Sequence, residues 1–224
     1  MFDASIRQRL HHPLDRIAEA IAMRGVSANT LTGVGFTIGV GACVAIVVDR
    51  WWLALGMWLI NRLIDGLDGS VARRVGPTRL GGFLDIMADF AIYGGMLVAI
   101  GIAVPEARIA SLVVFLLYYL NGAAFLAWSS LVAEKTLSDE GTDHEGDERS
   151  LNFPAGLAEG TETIIAMAVI LAFPGFTNPL MWLWAGIVGI SVMQRFSFIV
   201  IGLSELSLAD MREELRRRAR LGQH

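Results

Sequence analysis

The chain has 224 residues, of which 54% are hydrophobic and 18% are charged, and its formal net charge is −4. This composition is too apolar for an ordinary soluble domain, and it lacks the basic excess of a nucleic-acid-binding protein, so we expect no nucleic-acid partner. The single cysteine, Cys43, lies in an apolar run and excludes a disulfide within the chain. We therefore predict an all-α, polytopic integral membrane protein that forms a single domain over residues 1–224.

The amino-terminal segment has the pattern of an amphipathic helix. Apolar side chains recur at steps of three and four between Ile6 and Ile21, and arginines occupy other positions. Pro13 suits a helix start and Gly25 a helix end. The pattern predicts a helix lying on the membrane surface within residues 1–26, and a helix packed on a soluble partner remains the alternative.

Six apolar runs of about 17 to 24 residues follow, each long enough to cross roughly 30 Å of hydrocarbon. Polar or proline-containing turns separate them, and tryptophans near the ends of the second and sixth runs suit an interfacial belt. We therefore predict six transmembrane helices within residues 31–203. The predicted spans are Leu31–Val48, Trp52–Ser70, Gly81–Val104, Ile109–Leu131, Leu157–Phe173 and Leu180–Leu203.

The distribution of basic residues predicts the orientation of these spans. With six spans, the arginines of the amino-terminal segment, those of the turn after the second span and those of the carboxyl-terminal tail fall on one side, and Arg50 and Arg108 fall on the other. By the positive-inside rule the arginine-rich side is the cytoplasm. We therefore expect a multi-pass protein of the inner or plasma membrane with both termini in the cytoplasm.

Two further segments carry clusters of charge. The acidic connection 134–149 is interpreted as a solvated loop, because its spacing does not match an EF-hand calcium loop. Residues 204–224 form a basic cytoplasmic tail in which Met211–Arg220 is a predicted helix. We expect the tail to contact anionic lipid headgroups, to which each basic residue contributes about 1 kcal/mol.

Four aspartates lie at the ends of the second and third apolar runs. Asp65 and Asp68 are three residues apart and Asp85 and Asp89 four, so on helices each pair projects from one face. Two helices meeting there would gather four carboxylates, which repel one another unless cations lie between them. Hard oxygen ligands favour Mg²⁺, Mn²⁺ or Ca²⁺. The alternative is a set of helix-end charges in a polar vestibule.

The aspartates belong to a longer pattern, Asp-x2-Asp-Gly-x2-Ala-Arg, then seven residues, then Gly-x3-Asp-x3-Asp. This pattern resembles the signature of the CDP-alcohol phosphotransferase family, also called the CDP-alcohol phosphatidyltransferase family. A match at eight fixed positions is far more specific than an isolated pair of aspartates. The eight matching residues are Asp65, Asp68, Gly69, Ala72, Arg73, Gly81, Asp85 and Asp89.

A second polar element precedes the first span. Residues 27–32 resemble the family's Pro-Asn-x-x-Thr element beside the nucleotide: Asn29 and Thr32 match, and Ala28 replaces the usual proline. The same residues also suit the N-cap of the following helix, and the two roles are compatible.

The resemblance implies a reaction and a role for each matching residue. In this family an alcohol hydroxyl attacks the phosphorus of a CDP-linked donor, usually CDP-diacylglycerol, and CMP leaves. Asp65, Asp68 and Asp85 would hold two divalent ions, Mg²⁺ or Mn²⁺. Asp89 would complete the second metal site and act as the catalytic base toward the acceptor. The residues expected to border the CDP are Gly69, Ala72, Arg73, Asn29, Thr32 and Thr78.

The residue types around the aspartates independently suit a diphosphate. Divalent ions neutralise its charge and polarise its phosphoryl oxygens. Gly66 and Gly69 place no side chain between a ligand and the helix, and Arg73 offers a planar fork for phosphate oxygens.

The acceptor is less well defined by the sequence. Family members that act on phosphorylated acceptors often carry a basic residue after the last aspartate, and here that position is Phe90. This difference favours a neutral or amino alcohol. The residues considered for the acceptor pocket are Arg62, Asn121, Glu134, Glu159, Glu162, Gln194 and Arg195.

Two other functions compete with phosphotransfer. An intramembrane prenyltransferase also binds a diphosphate through aspartates and Mg²⁺, but it needs a second acidic motif that residues 180–224 do not supply. A divalent-cation transporter uses carboxylates at the membrane midplane, but it does not explain Gly69, Ala72 and Arg73. Dependence on a nucleotide separates the first function from both others. Because the family commonly forms dimers, we also expect a homodimer among membrane lipids.

Overall fold

The computed structural model describes the backbone of residues 17–139 and 160–221 and the side chains of residues 17–131 and 160–204. Within these ranges all regular structure is helical and no strand occurs. A short helical segment over residues 17–23 precedes six longer helices. These are α1 (Ala28–Val47), α2 (Trp51–Val75), α3 (Arg79–Ala103), α4 (Arg108–Asp139), α5 (Gly160–Ala172) and α6 (Thr177–Leu221), with single 3₁₀ turns at Pro105–Ala107 and Pro174–Phe176.

Local capping explains where the helices that carry the site begin and end. Ser27 caps α1 by accepting a hydrogen bond from the backbone N–H of Thr30, as the N-cap prediction for this segment required. Thr78 caps α3 in the same way through the N–H of Gly81. Between α2 and α3 the chain turns at Gly76, whose φ of 108° is a conformation that residues with a Cβ rarely adopt.

The chain divides into two compact units. The first unit comprises residues 1–118 and 157–188, and the second comprises residues 119–156 and 189–224. In the second unit, Arg195 donates to Asn121 over 2.8 Å, and the Trp128 ring packs against Gly202. The first unit contains the four aspartates.

In the first unit α1 packs against both α2 and α3, and α2 also packs against α5. Glycines allow the close approach: a Cβ at Gly39 would lie 2.7 Å from Ile92, and one at Gly95 would lie 3.2 Å from the Cys43 sulfur. Gly94 similarly faces the Phe115 ring. Close approach at small residues is the usual way for membrane helices to gain van der Waals contact.

Four helical stretches are long and apolar enough to cross a membrane: 28–47, 79–103, 105–131 and 174–204. Helix α5 is apolar but has only 13 residues, and α2 has 25 residues but contains Arg62, Asp65 and Asp68. Many large apolar side chains of these helices are exposed, among them Val44 and Ile102. The chain is therefore an all-helical membrane protein. The count of six spans remains a prediction.

The observed helices correct some of the predicted boundaries. Helix α4 continues to Asp139, so residues 134–139 are helical and not part of a loop as predicted, and residues 140–159 lie outside the described part. Helix α6 runs without a break to Leu221, so the predicted helix over Met211–Arg220 is its last part. The predicted surface helix is described only over residues 17–23.

The tryptophans of α2 and α6 are divided between the protein core and its surface. Trp58 is fully buried, and Trp51 and Trp184 are nearly so, whereas Trp52 and Trp182 are exposed. Burial of Trp58 is possible because its indole N–H donates to the carbonyl of Ile164 on α5 over 3.4 Å. This ring belongs to the core beneath the aspartates.

Candidate active site

Helices α2 and α3 bring three of the four aspartates together. One carboxylate oxygen from each of Asp65, Asp68 and Asp85 lies within 4.8 Å of the others. Only residues 76–78 separate α2 from α3, and α1 packs against both helices. The sequence-based prediction that these side chains converge is confirmed for these three.

The donor set fits a divalent cation. All three donors are carboxylate oxygens, the hard ligands that Mg²⁺ and Mn²⁺ prefer. Oxygens on opposite sides of an ion bound at about 2.1 Å are roughly 4.2 Å apart, so the observed spread is close to what one ion would span.

Helix α1 contributes directly to this cluster. The hydroxyl of Thr32 donates to Oδ2 of Asp68 over 2.7 Å, and Asp68 is only 4% exposed. A hydrogen bond of this kind fixes the orientation of a ligating carboxylate. Thr32 was predicted to lie beside the nucleotide, and the structure adds a contact with a candidate metal ligand.

Asp89 lies apart from the three-carboxylate cluster. Its Oδ1 accepts a hydrogen bond from Nη1 of Arg62 over 2.8 Å, and the same nitrogen lies 3.6 Å from Asp65. Arg62 therefore balances the charge of two aspartates, one on its own helix and one on α3. The sequence analysis considered Arg62 only for the acceptor pocket, and the contact with Asp89 was not foreseen.

A cavity of about 250 Å³ opens beside Asp68 and Asp85, where α1, α2 and the turn before α3 meet. Five of the six residues predicted to border the CDP line it. These five are Asn29, Thr32, Gly69, Ala72 and Thr78.

The lack of a side chain at Gly81 leaves room for two residues that line this cavity. A Cβ there would lie 2.9 Å from Oδ1 of Asn29 and 3.0 Å from Oγ1 of Thr78. A side chain at Gly81 would therefore displace two residues that line the cavity. The motif glycine is required by a close approach in the folded protein.

Arg73 is the sixth residue predicted to border the CDP, and it does not line the cavity. Its Nη2 donates to Oγ of Ser70 over 3.0 Å, and the hydroxyl of Ser70 donates in turn to the carbonyl of Gly66. The side chain is exposed, and its predicted contact with phosphate stays a prediction.

The residues considered for the acceptor pocket are divided between the two units. Arg62 and Glu162 belong to the first unit, and Asn121, Gln194 and Arg195 to the second. The side chains of residues 134 and 159 lie outside the described part.

Three residues next to Arg62 were not predicted to support the site. Asn61 accepts from Nε of Arg62 over 2.8 Å, Tyr93 accepts from Nη1 over 3.1 Å, and the Trp58 ring lies against the guanidinium. The sequence did carry one signal. Asn61-Arg62 is a polar pair inside an otherwise apolar stretch, and such a pair requires buried partners.

Comparison with known proteins agrees with this geometry. The family model described as CDP-alcohol phosphatidyltransferase matches residues 25–193. The chain belongs to the CDP-alcohol phosphatidyltransferase family. It is thus an enzyme of phospholipid synthesis that transfers a phosphatidyl group from a CDP-linked donor to an alcohol, and CMP is released. The family depends on divalent metal ions, in agreement with the aspartate cluster.

Two curated relatives show how far this phosphatidyltransferase resembles known members. The Inner membrane protein YnjF of Escherichia coli (strain K12) is 32% identical over 209 residues, which cover 87% of this chain and all of the relative. The Archaetidylinositol phosphate synthase of Pyrococcus horikoshii is 34% identical over 87 residues, which cover 38% of this chain and 46% of the relative.

Solved structures share the fold of this phosphatidyltransferase. The phosphatidylinositol phosphate synthase PgsA1 of Mycobacterium tuberculosis with CDP-DAG bound superposes with a TM-score of 0.66, at 20% identity, over 83% of this chain and 92% of that one. The same protein in complex with manganese and citrate also gives 0.66, at 21% identity, over 83% and 88% of the two chains.

Proposed function

We propose that this enzyme transfers the phosphatidyl group of CDP-diacylglycerol to an alcohol that carries no phosphate, at the cluster of Asp65, Asp68 and Asp85. The observation that carries the proposal is that Asp68 and Asp85, two of the three clustered carboxylates, line the same cavity as the five predicted CDP-binding residues. A diphosphate held by ions at the carboxylates can extend its cytidine into that cavity.

We infer that the aspartates hold two divalent ions, Mg²⁺ or Mn²⁺. Asp65, Asp68 and Asp85 would supply most of the ligands, and Asp89 would complete the second site through the oxygen that Arg62 does not engage. When bound, the ions neutralise the diphosphate and stabilise the charge that develops on its oxygens. The PgsA1 complex with manganese is consistent with this assignment.

In the proposed step, the acceptor hydroxyl oxygen forms a bond to the phosphatidyl phosphorus. The bond from that phosphorus to the oxygen shared with CMP breaks, and CMP leaves with the electron pair. Asp89 takes the proton that the hydroxyl loses. Arg73 and the backbone at Gly69 would hold phosphate oxygens, and Asn29 and Thr78 would border the nucleotide.

Two residues of the first unit favour an acceptor without phosphate. Phe90 follows Asp89 where members acting on phosphorylated acceptors often carry a basic residue, and its ring is exposed. Glu162, in the first turn of α5, has a buried Oε2 without a hydrogen-bond partner. Its neighbour Thr163 is hydrogen-bonded to Tyr118, whose ring packs on Tyr93 near the site.

A carboxylate in that position repels a phosphate and suits a hydroxyl or an ammonium group. The two relatives named inositol phosphate synthases point the other way. The match with the Archaetidylinositol phosphate synthase covers only 46% of that relative, and PgsA1 is only 20% identical to this chain. The residues of this chain therefore favour an acceptor without phosphate.

We further propose that six spans place the aspartates and both termini on the cytoplasmic side of the cell membrane, and that the enzyme is a homodimer. The arrangement is supported by the charge distribution along the chain and by the likeness to an inner membrane protein.

The direct test is release of CMP from CDP-diacylglycerol by the purified protein in detergent with Mn²⁺ or Mg²⁺. The acceptor panel contains serine, inositol, choline, glycerol 3-phosphate, inositol phosphate and no acceptor. We expect CMP with one unphosphorylated alcohol, none after chelation of the metal, and a rate at least about 100-fold lower for Asp89→Asn, because proton transfer contributes on that scale.

The outcomes separate the parts of the proposal. CMP formed only with a phosphorylated acceptor would keep the reaction and overturn the acceptor class. Absence of both CMP release and metal-dependent binding of CDP-diacylglycerol would contradict the reaction itself and favour a cation transporter.

A further inference from the structure

Arg62 is a buried cation in the first unit. The residue is 9% exposed, and it lies on α2 one turn before Asp65. A buried guanidinium is costly unless hydrogen bonds and opposite charges satisfy it, and here they do. Its Nη1 donates to Oδ1 of Asp89 and to the hydroxyl of Tyr93, and its Nε donates to Oδ1 of Asn61.

Two aromatic rings contact the guanidinium in addition to its hydrogen-bond partners. Its central carbon lies 4.9 Å from the ring centroids of both Trp58 and Tyr93. The two rings meet edge to face, with centroids 5.4 Å apart and planes inclined by 77°. Cation–π contacts of this kind stabilise the guanidinium and also restrict its orientation.

The arrangement is anchored to a third helix. The side-chain N–H of Asn61 donates to the backbone carbonyl of Gly35 on α1 over 2.9 Å, and Asn61 is 3% exposed. A Cβ at Gly35 would lie 3.1 Å from Ile64, so α1 approaches α2 closely at this point. Arg62 is therefore fixed relative to α1 as well as to α3.

The contact with Arg62 determines which carboxylate oxygen of Asp89 is available. Engagement of Oδ1 by Arg62 leaves Oδ2 as the oxygen available to an ion or an acceptor hydroxyl. The space between Asp65, Asp68, Asp89 and Arg62 measures about 10 Å³, roughly one water-sized sphere. A small rotation of the Asp89 carboxylate would therefore change which atom can enter that space.

We propose that Arg62 is a positioning residue for Asp89: by holding Oδ1 it leaves Oδ2 as the one carboxylate oxygen presented to the second ion and the reacting hydroxyl, and it prevents Oδ1 from also binding an ion. The proposal rests on the proposed role of Asp89 as proton acceptor. It differs from simple charge balance, because it requires the fork of the guanidinium and its clamped orientation.

The proposal predicts that loss of Arg62 lowers turnover without weakening metal binding. Replacing Arg62 by Gln removes a positive charge beside the ion site and frees Asp89, so Mn²⁺ should bind as tightly as in the wild type or more tightly. Turnover should nevertheless fall by about 10- to 100-fold, because a misplaced carboxylate loses most of its effect as a base. A structural defect would weaken both properties together.

The experiment measures two quantities on purified protein. Mn²⁺ dissociation constants are obtained by electron paramagnetic resonance of free Mn²⁺, without substrates. The kcat and the KM for CDP-diacylglycerol are obtained from CMP release. The variants are Arg62→Gln and Arg62→Lys, and the control is Arg108→Gln, which removes an exposed arginine bonded to the Gly101 carbonyl at the far end of α3.

We expect Arg62→Gln to lower kcat about 10- to 100-fold with an unchanged KM for the donor and Mn²⁺ affinity at or above that of the wild type. Arg62→Lys keeps the charge but cannot bond Asn61, Asp89 and Tyr93 at once, so it should recover only part of kcat. Full recovery with lysine would show charge balance alone. Weaker Mn²⁺ binding in Arg62→Gln, by about 10-fold or more, would also overturn the proposal.

A double-mutant cycle gives an independent check. Tyr93→Phe removes the hydroxyl that accepts from Arg62, and we expect kcat to fall about two- to fivefold. In the Arg62→Gln background the same change should have no further effect, and additive effects would contradict a shared role. If the wild type neither releases CMP with any acceptor nor binds CDP-diacylglycerol in a metal-dependent way, the proposed function fails. The Mn²⁺ titration then still tests whether Arg62 restrains Asp89: Arg62→Gln must not weaken Mn²⁺ binding, and any gain in affinity must vanish in the Asp89→Asn background.

Discussion

At the scale of single residues, the site depends on hydrogen bonds that hold the carboxylates in place. Asp68 receives the hydroxyl of Thr32, and Asp89 receives the guanidinium of Arg62. Both bonds join residues distant in sequence, and both donors come from inside apolar helices. Partners of this kind commonly change metal affinity or activity by about 10- to 100-fold when they are removed.

Thr32→Val tests this dependence with an isosteric change. We expect its Mn²⁺ dissociation constant to rise about 10-fold, because Asp68 loses the bond that orients it. Thr37→Val on the same helix is the matched control, since the Thr37 hydroxyl donates to the carbonyl of Gly33 in its own helix. Electron paramagnetic resonance of free Mn²⁺ measures both. Equal affinities of the two variants would show that the Thr32 bond does not orient a ligand.

At the scale of helices, the position of α1 decides whether the site is complete. Helix α1 supplies Asn29 and Thr32 to the cavity and the Gly35 carbonyl to Asn61. Its contact with α2 and α3 relies on Gly39, where a Cβ would lie 2.7 Å from Ile92, itself only 2% exposed. A larger residue at this position must displace the buried Ile92 side chain and crowd the side-chain amide of Asn61.

Gly39→Val should therefore destabilise the protein by about 1–3 kcal/mol and lower its melting temperature in detergent by several degrees. Gly33→Val is the control on the same helix, because a Cβ at Gly33 meets nothing within 4 Å. Thermal unfolding followed by intrinsic fluorescence compares them. The packing interpretation predicts a clear difference between the two variants and is refuted by equal melting temperatures.

At the scale of the whole molecule, the arrangement across the membrane decides which compartment supplies the substrates. Six spans would place the turn at Pro105–Ala107 opposite the aspartates and the exposed end of α2 on the same side as them. The positive-inside rule assigns the latter side to the cytoplasm, where CDP-linked precursors would have to be present.

Cysteine accessibility tests this topology. In a Cys43→Ala background, a membrane-impermeant maleimide should label Glu106→Cys in right-side-out vesicles and Arg74→Cys only in inside-out vesicles. Glu106 and Arg74 are both exposed. Labelling of both positions from the same side would contradict an odd number of crossings between them and hence the six-span arrangement.

The sequence by itself determined the helical class, the existence of the six helices and the convergence of Asp65, Asp68 and Asp85. The helices and the common face of each aspartate pair follow from local rules, because the length of an apolar run and the spacing of residues on a helix act over short stretches of chain. The N-caps at Ser27 and Thr78 are local in the same sense. Helix ends were less predictable, because polar residues continue α4 to Asp139 and α6 to Leu221.

Only the tertiary structure decided that Asp89 pairs with Arg62, that Thr32 bonds Asp68 and that Trp58 is a core residue. Such contacts depend on how helices from distant parts of the chain pack, and a shift of one residue along a helix would present another face. Arg62 and Asp89 are 27 residues apart, and no periodicity in the sequence links them. The partners of a buried charge are selected by packing, because burial leaves few polar atoms within reach of the guanidinium.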